Sequence, residues 1–169
     1  RTGMTEDTHT ETEKLKFKIV LSGPHPEKKA EFRISLGGKQ MIHTNTKEFM
    51  WTHETFEFAE ELVEGNQFLE IEFLNKGTGD TILDEQGNML SDHLLNIESI
   101  EVDDVDLGPL KWTLSEYHPR YPAEYVADVL KNTGEKPDKI IKNCVNMGWN
   151  GRWVLPFQSP FYLWLLENV

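Results

Sequence analysis

The side chains best placed to do chemistry crowd into one stretch, residues 75–92, which reads NKGTGDTILDEQGNMLSD. Asp80, Asp84 and Asp92 supply carboxylates, and Asn75 and Asn88 supply amide oxygens. Gly77, Gly79 and Gly87 let the backbone bend sharply and present its carbonyls. A hard cation such as Ca²⁺ takes roughly six to eight oxygen ligands of these kinds. Asn75, Asp80, Asp84 and Asp92 are therefore the candidate metal ligands, with Ca²⁺ as the candidate cofactor. The spacing is not that of an EF-hand, whose ligands alternate along a 12-residue loop. Asp, Asn and Gly are also the commonest turn residues, so an ordinary turn accounts for the same letters.

Aromatic rings can stack on the apolar faces of sugars, which gives Trp51, Trp112, Trp149, Trp153 and Trp164 a second kind of chemistry. The competing role for each is packing. Trp51 precedes a strand and lies close in sequence to His43 and His53, so Trp51, His53 and His93 are the candidate ligand-binding residues. The six histidines are scattered without a His-x₃-His pair, and zinc is not expected. Carboxylates are plentiful, but glycoside hydrolysis needs two of them held at a set separation across a cleft. No G-x-S-x-G, P-loop or dinucleotide fingerprint occurs. The chain reads as a non-enzyme.

Composition narrows the class further. The 169 residues carry 17 Lys+Arg against 29 Asp+Glu, a formal net charge of -12. That balance argues against nucleic acid, whose binding rests on cationic side chains meeting phosphates. Residues 54–106 contain a single basic side chain, Lys76, and hold the whole of the acidic excess. A solvated acidic face explains this, and so does a bound cation. No apolar run reaches the ~18 residues of a membrane span, and the polar beginning is not a signal peptide. Cys144 is the single cysteine, which excludes an intramolecular disulfide.

The elements that must position these groups are mostly strands. Leu15, Phe17, Ile19 and Leu21 alternate with polar neighbours, as do Phe32, Ile34 and Leu36, and later Leu69, Ile71 and Phe73. Further strands are predicted at residues 40–43, 54–62, 81–83, 89–90, 94–102 and 112–114. The apolar parity shifts between Ile97 and Ile100, which predicts a bulge or burial on both faces. Gly37-Gly38 and Gly65-Asn66 read as hairpin turns. Short, closely spaced strands of this kind predict an antiparallel β-sandwich or jelly roll. Residues 123–131 predict a short amphipathic helix ended near Gly134. Ser159 and Pro160 read as N-cap and first residue of an apolar final helix. The expected organisation is a disordered tail at residues 1–13, a sandwich at 14–115, and a partly helical C-terminal extension at 116–169 that packs on the sandwich. Trp149, Trp153, Phe161 and Trp164 are the candidate interface residues, with docking on the sandwich as the alternative.

Two resemblances add to this. The order of a strand at 68–74, Asn75, a Gly/Asp loop and then Asp92-His-Leu-Leu-Asn-Ile-Glu resembles calcium-dependent xylan-binding modules and related β-sandwich carbohydrate-binding domains. There a strand ends in Phe-Thr-Asn-Asp and a loop leads to Asp-Arg-Asn-Leu-Tyr-Val-Asp. Asn75, Asp92 and Leu95 match. Lys76 stands where the usual Asp would be, His93-Leu94 replaces Arg-Asn, and Glu98 replaces the later Asp. The resemblance spans about residues 15–107 and carries ligand duty over to Asn75 and Asp92 alone. Asp80-Thr81, Asp103-Asp-Val-Asp106, Ser115-Glu-Tyr-His-Pro-Arg-Tyr-Pro122 and Gly148-Trp-Asn-Gly-Arg-Trp153 with Ser159-Pro-Phe161-Tyr-Leu-Trp-Leu-Leu166 resemble small accessory proteins of tailed bacteriophages, notably those of marine cyanobacteria. That implies a virion location; without a phage origin the chain reads as soluble.

The resulting expectation is a non-catalytic carbohydrate-binding-module-like protein recognising glycan with Ca²⁺ in the 75–92 loop. The alternative is a structural virion component, in a decoration, collar or tail role, without a sugar site. Expected partners are glycan or other virion proteins, with homo-oligomerisation open.

Overall fold

A computed structural model describes residues 11–169. The elements in chain order are strands β1 (Thr12–Ser22), β2 (Glu31–Leu36), β3 (Lys39–Asn45), β4 (Glu54–Val63), β5 (Gly65–Phe73), β6 (Ile82–Leu83), β7 (Met89–Ser91), β8 (Leu95–Val102) and β9 (Val105–Asp106), helix α1 (Leu110–Thr113), β10 (Glu116–Pro119), α2 (Ala123–Thr133), β11 (Ile141–Lys142), β12 (Asn146–Met147), β13 (Gly151–Ser159) and α3 (Phe161–Asn168). Every ladder is antiparallel. One sheet runs β12-β8-β1-β4 with β9 on β8; the other runs β11-β10-β13-β5-β2-β3. β6 and β7 form a separate small hairpin.

The alternating pattern read from the sequence is what builds the core. Leu15, Phe17, Ile19 and Leu21 of β1 are buried, and so are Phe32 and Ile34 of β2, Ile71 and Phe73 of β5, and Ile97 and Ile100 of β8. Rings bridge the layers: Phe17 meets Phe157 at 6.1 Å between centroids, and Phe32 meets Phe56 at 4.8 Å. Burying an aromatic or aliphatic side chain of this size stabilises by about 1.5–3 kcal/mol. The predicted bulge is present. Val20 pairs with Ser99 and Leu21 with Ile97, so Glu98 is passed over.

Four local expectations are corrected. The Gly65-Asn66 signal is not a hairpin. β4 belongs to the first sheet and β5 to the second, so the chain crosses between layers there, with Gly65 at φ 122°. Residues 112–114 are not a strand: Pro109, with φ -69°, opens the helical turn α1 instead. Ser159 is not the N-cap of α3; Pro160 stands there, without a side-chain cap of its own. Glu13 of β1 supplies one, since its Oε2 accepts the Phe161 N–H at 2.7 Å and the Ser159 hydroxyl. Glu13 is thus strand rather than tail, while residues 1–10 of the expected tail lie outside the described residues.

The C-terminal third is also more than an extension. β13 pairs with β5 along nine residues and with β10 on its other side, so it lies inside the second sheet. Its inward residues Trp153, Leu155 and Phe157 alternate with Arg152, Pro156 and Gln158. The proline obscures a strand pattern that is otherwise of period two.

Candidate functional site

Register places several connections at one end of the sandwich. Phe73, the last residue of β5, pairs with Gly151 at the start of β13 and with Phe32 near the start of β2. Ser22 ends β1 opposite Asn96 at the start of β8. The 23–30, 74–94 and 148–150 connections therefore converge, and hydrogen bonds tie them together.

Asn75 sits at the centre of this knot. Its Oδ1 accepts the Glu31 N–H at 2.8 Å and faces His93 Nε2 at 3.0 Å, while its Nδ2 donates to the Lys29 carbonyl at 2.8 Å. An oxygen that already accepts a backbone N–H requires the proton on His93 Nε2. The His93 ring is fully buried, edge-on to Phe73 and His25. Burial first, then the neighbouring Lys28 charge, push its pKa down to about 4, with Asp80 opposing. His25 accepts the Glu27 and Lys28 N–H groups on Nδ1 and reaches the Asp80 carbonyl through Nε2 at 3.2 Å.

The aspartates divide. Asp92 Oδ1 accepts Lys76 Nζ at 2.5 Å, the Thr81 hydroxyl at 2.9 Å and the His93 N–H at 2.8 Å. Asp80 Oδ2 accepts Lys28 Nζ at 2.8 Å and the Gly77 N–H at 2.6 Å. Burial works to raise the Asp80 pKa, but Lys28 and Gly77 outweigh it and hold the carboxyl below the usual range. Asp84 is apart from both. It accepts the Asn88 and Gln86 N–H groups across the tip of the β6–β7 hairpin, and these hold its carboxyl low.

This donor set does not fit Ca²⁺. Among the described residues, no three acidic, histidine or cysteine side chains gather so as to hold a metal ion. One oxygen of each side chain expected to bind the ion already faces an N–H or O–H donor, and two ammonium groups stand among them. Asn75, Asp80 and Asp92 thus meet amide, hydroxyl and ammonium donors in the knot, and Asp84 meets the N–H groups of its own hairpin tip. The poor fit to Ca²⁺ lies in Lys76 and Lys28, whose positive charge repels a second cation at the same oxygens.

Beside the knot lies an open cleft of about 240 Å³, lined by Lys76, Gly77, Thr78, Gly79 and Thr81 on one side and by Pro122, Glu124, Tyr125, Asp128 and Trp149 on the other. Pro122 leads into α2, and Glu124 and Asp128 lie one helical turn apart on it. Tyr125 packs on Trp149 at 4.5 Å between centroids and on Tyr121 at 5.4 Å. The backbone of Trp149 is fixed by the buried Tyr117 phenol. Asn150 fixes the other wall: its Oδ1 accepts the Lys76 N–H at 2.7 Å and its Nδ2 donates to the Lys76 carbonyl at 3.0 Å.

No family model matches the chain, and no curated protein matches it. Two solved structures are similar to it. One is vCBM60 in complex with galactobiose, 9% identical, covering 83% of this chain and 96% of that one with a TM-score of 0.49. The other is the selenomethionine form of vCBM60, described with a circular permutation that links two families of calcium-dependent carbohydrate-binding modules. It is 10% identical and covers 83% of this chain and 89% of that one, with a TM-score of 0.47.

The remaining expected site residues fall in different places. Trp51 is 55% exposed, in a loop where Met50 and Phe49 are exposed too. His53 is exposed, 3.6 Å from Glu98, whereas His93 is sealed inside the knot. Trp153, Phe161 and Trp164 are buried within the chain itself, so their expected role as an interface gives way to core packing. Trp164 sits 6.1 Å from Phe157 and 5.8 Å from Phe161. Trp149 is half-buried on the cleft. Sequence reading missed Tyr125, Glu124 and Asp128 as cleft residues. Their signal was the pattern of α2, whose tyrosine and carboxylates share one end of the helix.

Proposed function

We propose that this protein is a non-catalytic glycan-binding module and that the sugar lies in the cleft between the 76–81 loop and α2. The observation that carries the reading is the lining itself. The rings of Tyr125 and Trp149 offer apolar faces to the C–H surface of a pyranose, while Thr78, Thr81, Glu124 and Asp128 offer hydrogen-bonding groups to its hydroxyls. Apolar walls with a few convergent polar groups are what small-molecule sites are made of. Glu124 and Asp128 leave the same helix one turn apart rather than flanking a bond from opposite walls, which suits holding a sugar and not cleaving one.

The test is a broad glycan array probed in EGTA and again with Ca²⁺, followed by calorimetry on any ligand found. Tyr125→Ala and the pair Glu124→Gln/Asp128→Asn should each weaken binding about tenfold, equivalent to about 1.4 kcal/mol. Trp51→Ala, on a separate loop, should leave affinity unchanged. Silence across the array ends the proposal, and so does binding that survives the cleft variants but not Trp51→Ala.

A further inference from the structure

Lys76 is the single basic residue in the acidic middle third of the chain, and its side chain is only 6% exposed. Its Nζ donates to Asp92 Oδ1 at 2.5 Å and to the His93 carbonyl at 3.0 Å, and it stands 5.4 Å from the Trp149 ring centroid. Its own N–H and carbonyl are both taken by the Asn150 side chain. One residue thus fastens the 75–81 loop, the 91–94 segment and the 148–150 turn. Lys28 does the same on a smaller scale, reaching from the 23–30 connection to Asp80 at 2.8 Å.

We infer that the ammonium groups of Lys76 and Lys28 are the resident cations of this end of the sandwich, covalently built in, and that the protein neither needs nor binds Ca²⁺ there. A divalent ion would neutralise the aspartates and draw carbonyl oxygens around itself. Lys76 performs both tasks, neutralising Asp92 and gathering the His93 carbonyl. A lysine ammonium is a compact point charge with three donors, and its flexible stem lets it stand in for an ion. Being tethered, it is present at full occupancy whatever the calcium concentration. The inference is independent of glycan binding, because it concerns the stability of the loops and not what they hold.

The experiment is thermal unfolding of the full chain in EGTA and in about 5 mM Ca²⁺, with the variants Lys76→Met, Asp92→Asn and their combination measured alongside. The unsubstituted protein should unfold at the same temperature in both solutions, within about 1 °C, since a ligand that bound only the folded state would raise the midpoint. Lys76→Met should lower the midpoint by several degrees, because it strands the Asp92 carboxylate without its counter-charge. The double variant should be less destabilised than the two single losses added together. A Ca²⁺-induced rise reversed by EGTA overturns the inference. So does a Lys76→Met midpoint equal to that of the unsubstituted protein, or strict additivity in the double variant. If Lys76→Met does not fold, the calcium comparison on the unsubstituted chain decides, read together with terbium luminescence, where sensitised emission at micromolar Tb³⁺ would overturn the inference and its absence would uphold it.

Discussion

The hydroxyl of Tyr117 holds the backbone of Trp149 from both directions, donating to its carbonyl and accepting its N–H at 2.9 Å. Tyr117 lies on β10 and is almost fully buried. Burial, the largest influence, keeps the phenol protonated far above its ordinary pKa, so it remains a donor at any working pH. The wall of the cleft is therefore set by a residue that never reaches it.

Tyr117→Phe keeps the ring and removes both hydrogen bonds. Leaving a buried polar group unpaired costs about 1–3 kcal/mol. Urea unfolding should show a loss of that size with an unchanged slope, and indole emission from Trp149 should shift to the red. An unaltered midpoint would mean that the phenol is dispensable.

Gly151 starts β13 against β10, and an added Cβ there would lie 2.4 Å from the His118 carbonyl oxygen and 2.8 Å from the Pro119 Cα. Both obstacles are backbone. Gly151→Ala should cost upward of about 3 kcal/mol, among the larger effects of single substitutions. Gly38→Ala makes the contrast: φ is 87° but nothing lies within 4 Å of the new methyl, so only the left-handed backbone resists, at about 1–2 kcal/mol. Thermal midpoints of the two variants should rank in that order; the reverse ranking would refute the steric account.

His93 makes stability depend on pH. Its folded-state pKa is depressed to about 4 from 6.5, chiefly by burial, then by Lys28, with His25 and Lys76 adding and Asp80 opposing. The unfolded chain therefore binds a proton below pH 6.5 that the folded chain refuses until about pH 4. Stability is full above pH 6.5 and falls with acidification across that window, by about 1.4 kcal/mol per pH unit and on the order of 3 kcal/mol in all. His93→Asn, which retains a group able to meet Asn75, should flatten the fall between pH 6.5 and 4.5. An equal slope in both proteins would assign the pH dependence elsewhere.

Glu13 caps α3 across 148 residues of sequence. Glu13→Ala should cost about 1–2 kcal/mol, in the range of helix N-caps, and speed hydrogen exchange in residues 161–168 more than in β5. Uniform acceleration throughout the molecule would show that the contact is not local to the helix.

Much of the sandwich was legible because period-two patterning survives wherever one strand face is buried. β1, β2 and β5 follow from it directly, and the bulge at Glu98 is one of the two outcomes that its parity shift allows. What stayed hidden depends on pairing between distant segments. Gly65 looks the same in sequence whether its strands pair with each other or part to different layers. Pro156 masked β13, although its side chain points away from the core. The candidate site divides along the same line. Residue types in the 75–92 stretch marked it as unusual, but Asp, Asn and Gly do not say whether their oxygens meet a metal or a lysine. That depends on Lys28, which lies 52 positions before Asp80, and on the direction taken by Lys76. The cleft needed α2 and Trp149 to be brought to the 76–81 loop, which no local pattern encodes.

The position of β13 between β10 and β5 has a bearing on synthesis. Its nine residues form the seam of the second sheet, so until residues 151–159 have left the ribosome, β5 waits with an open edge and β10 has only the two-residue β11 to pair with. Such late closure between remote segments slows folding and leaves unpaired edges available to other chains.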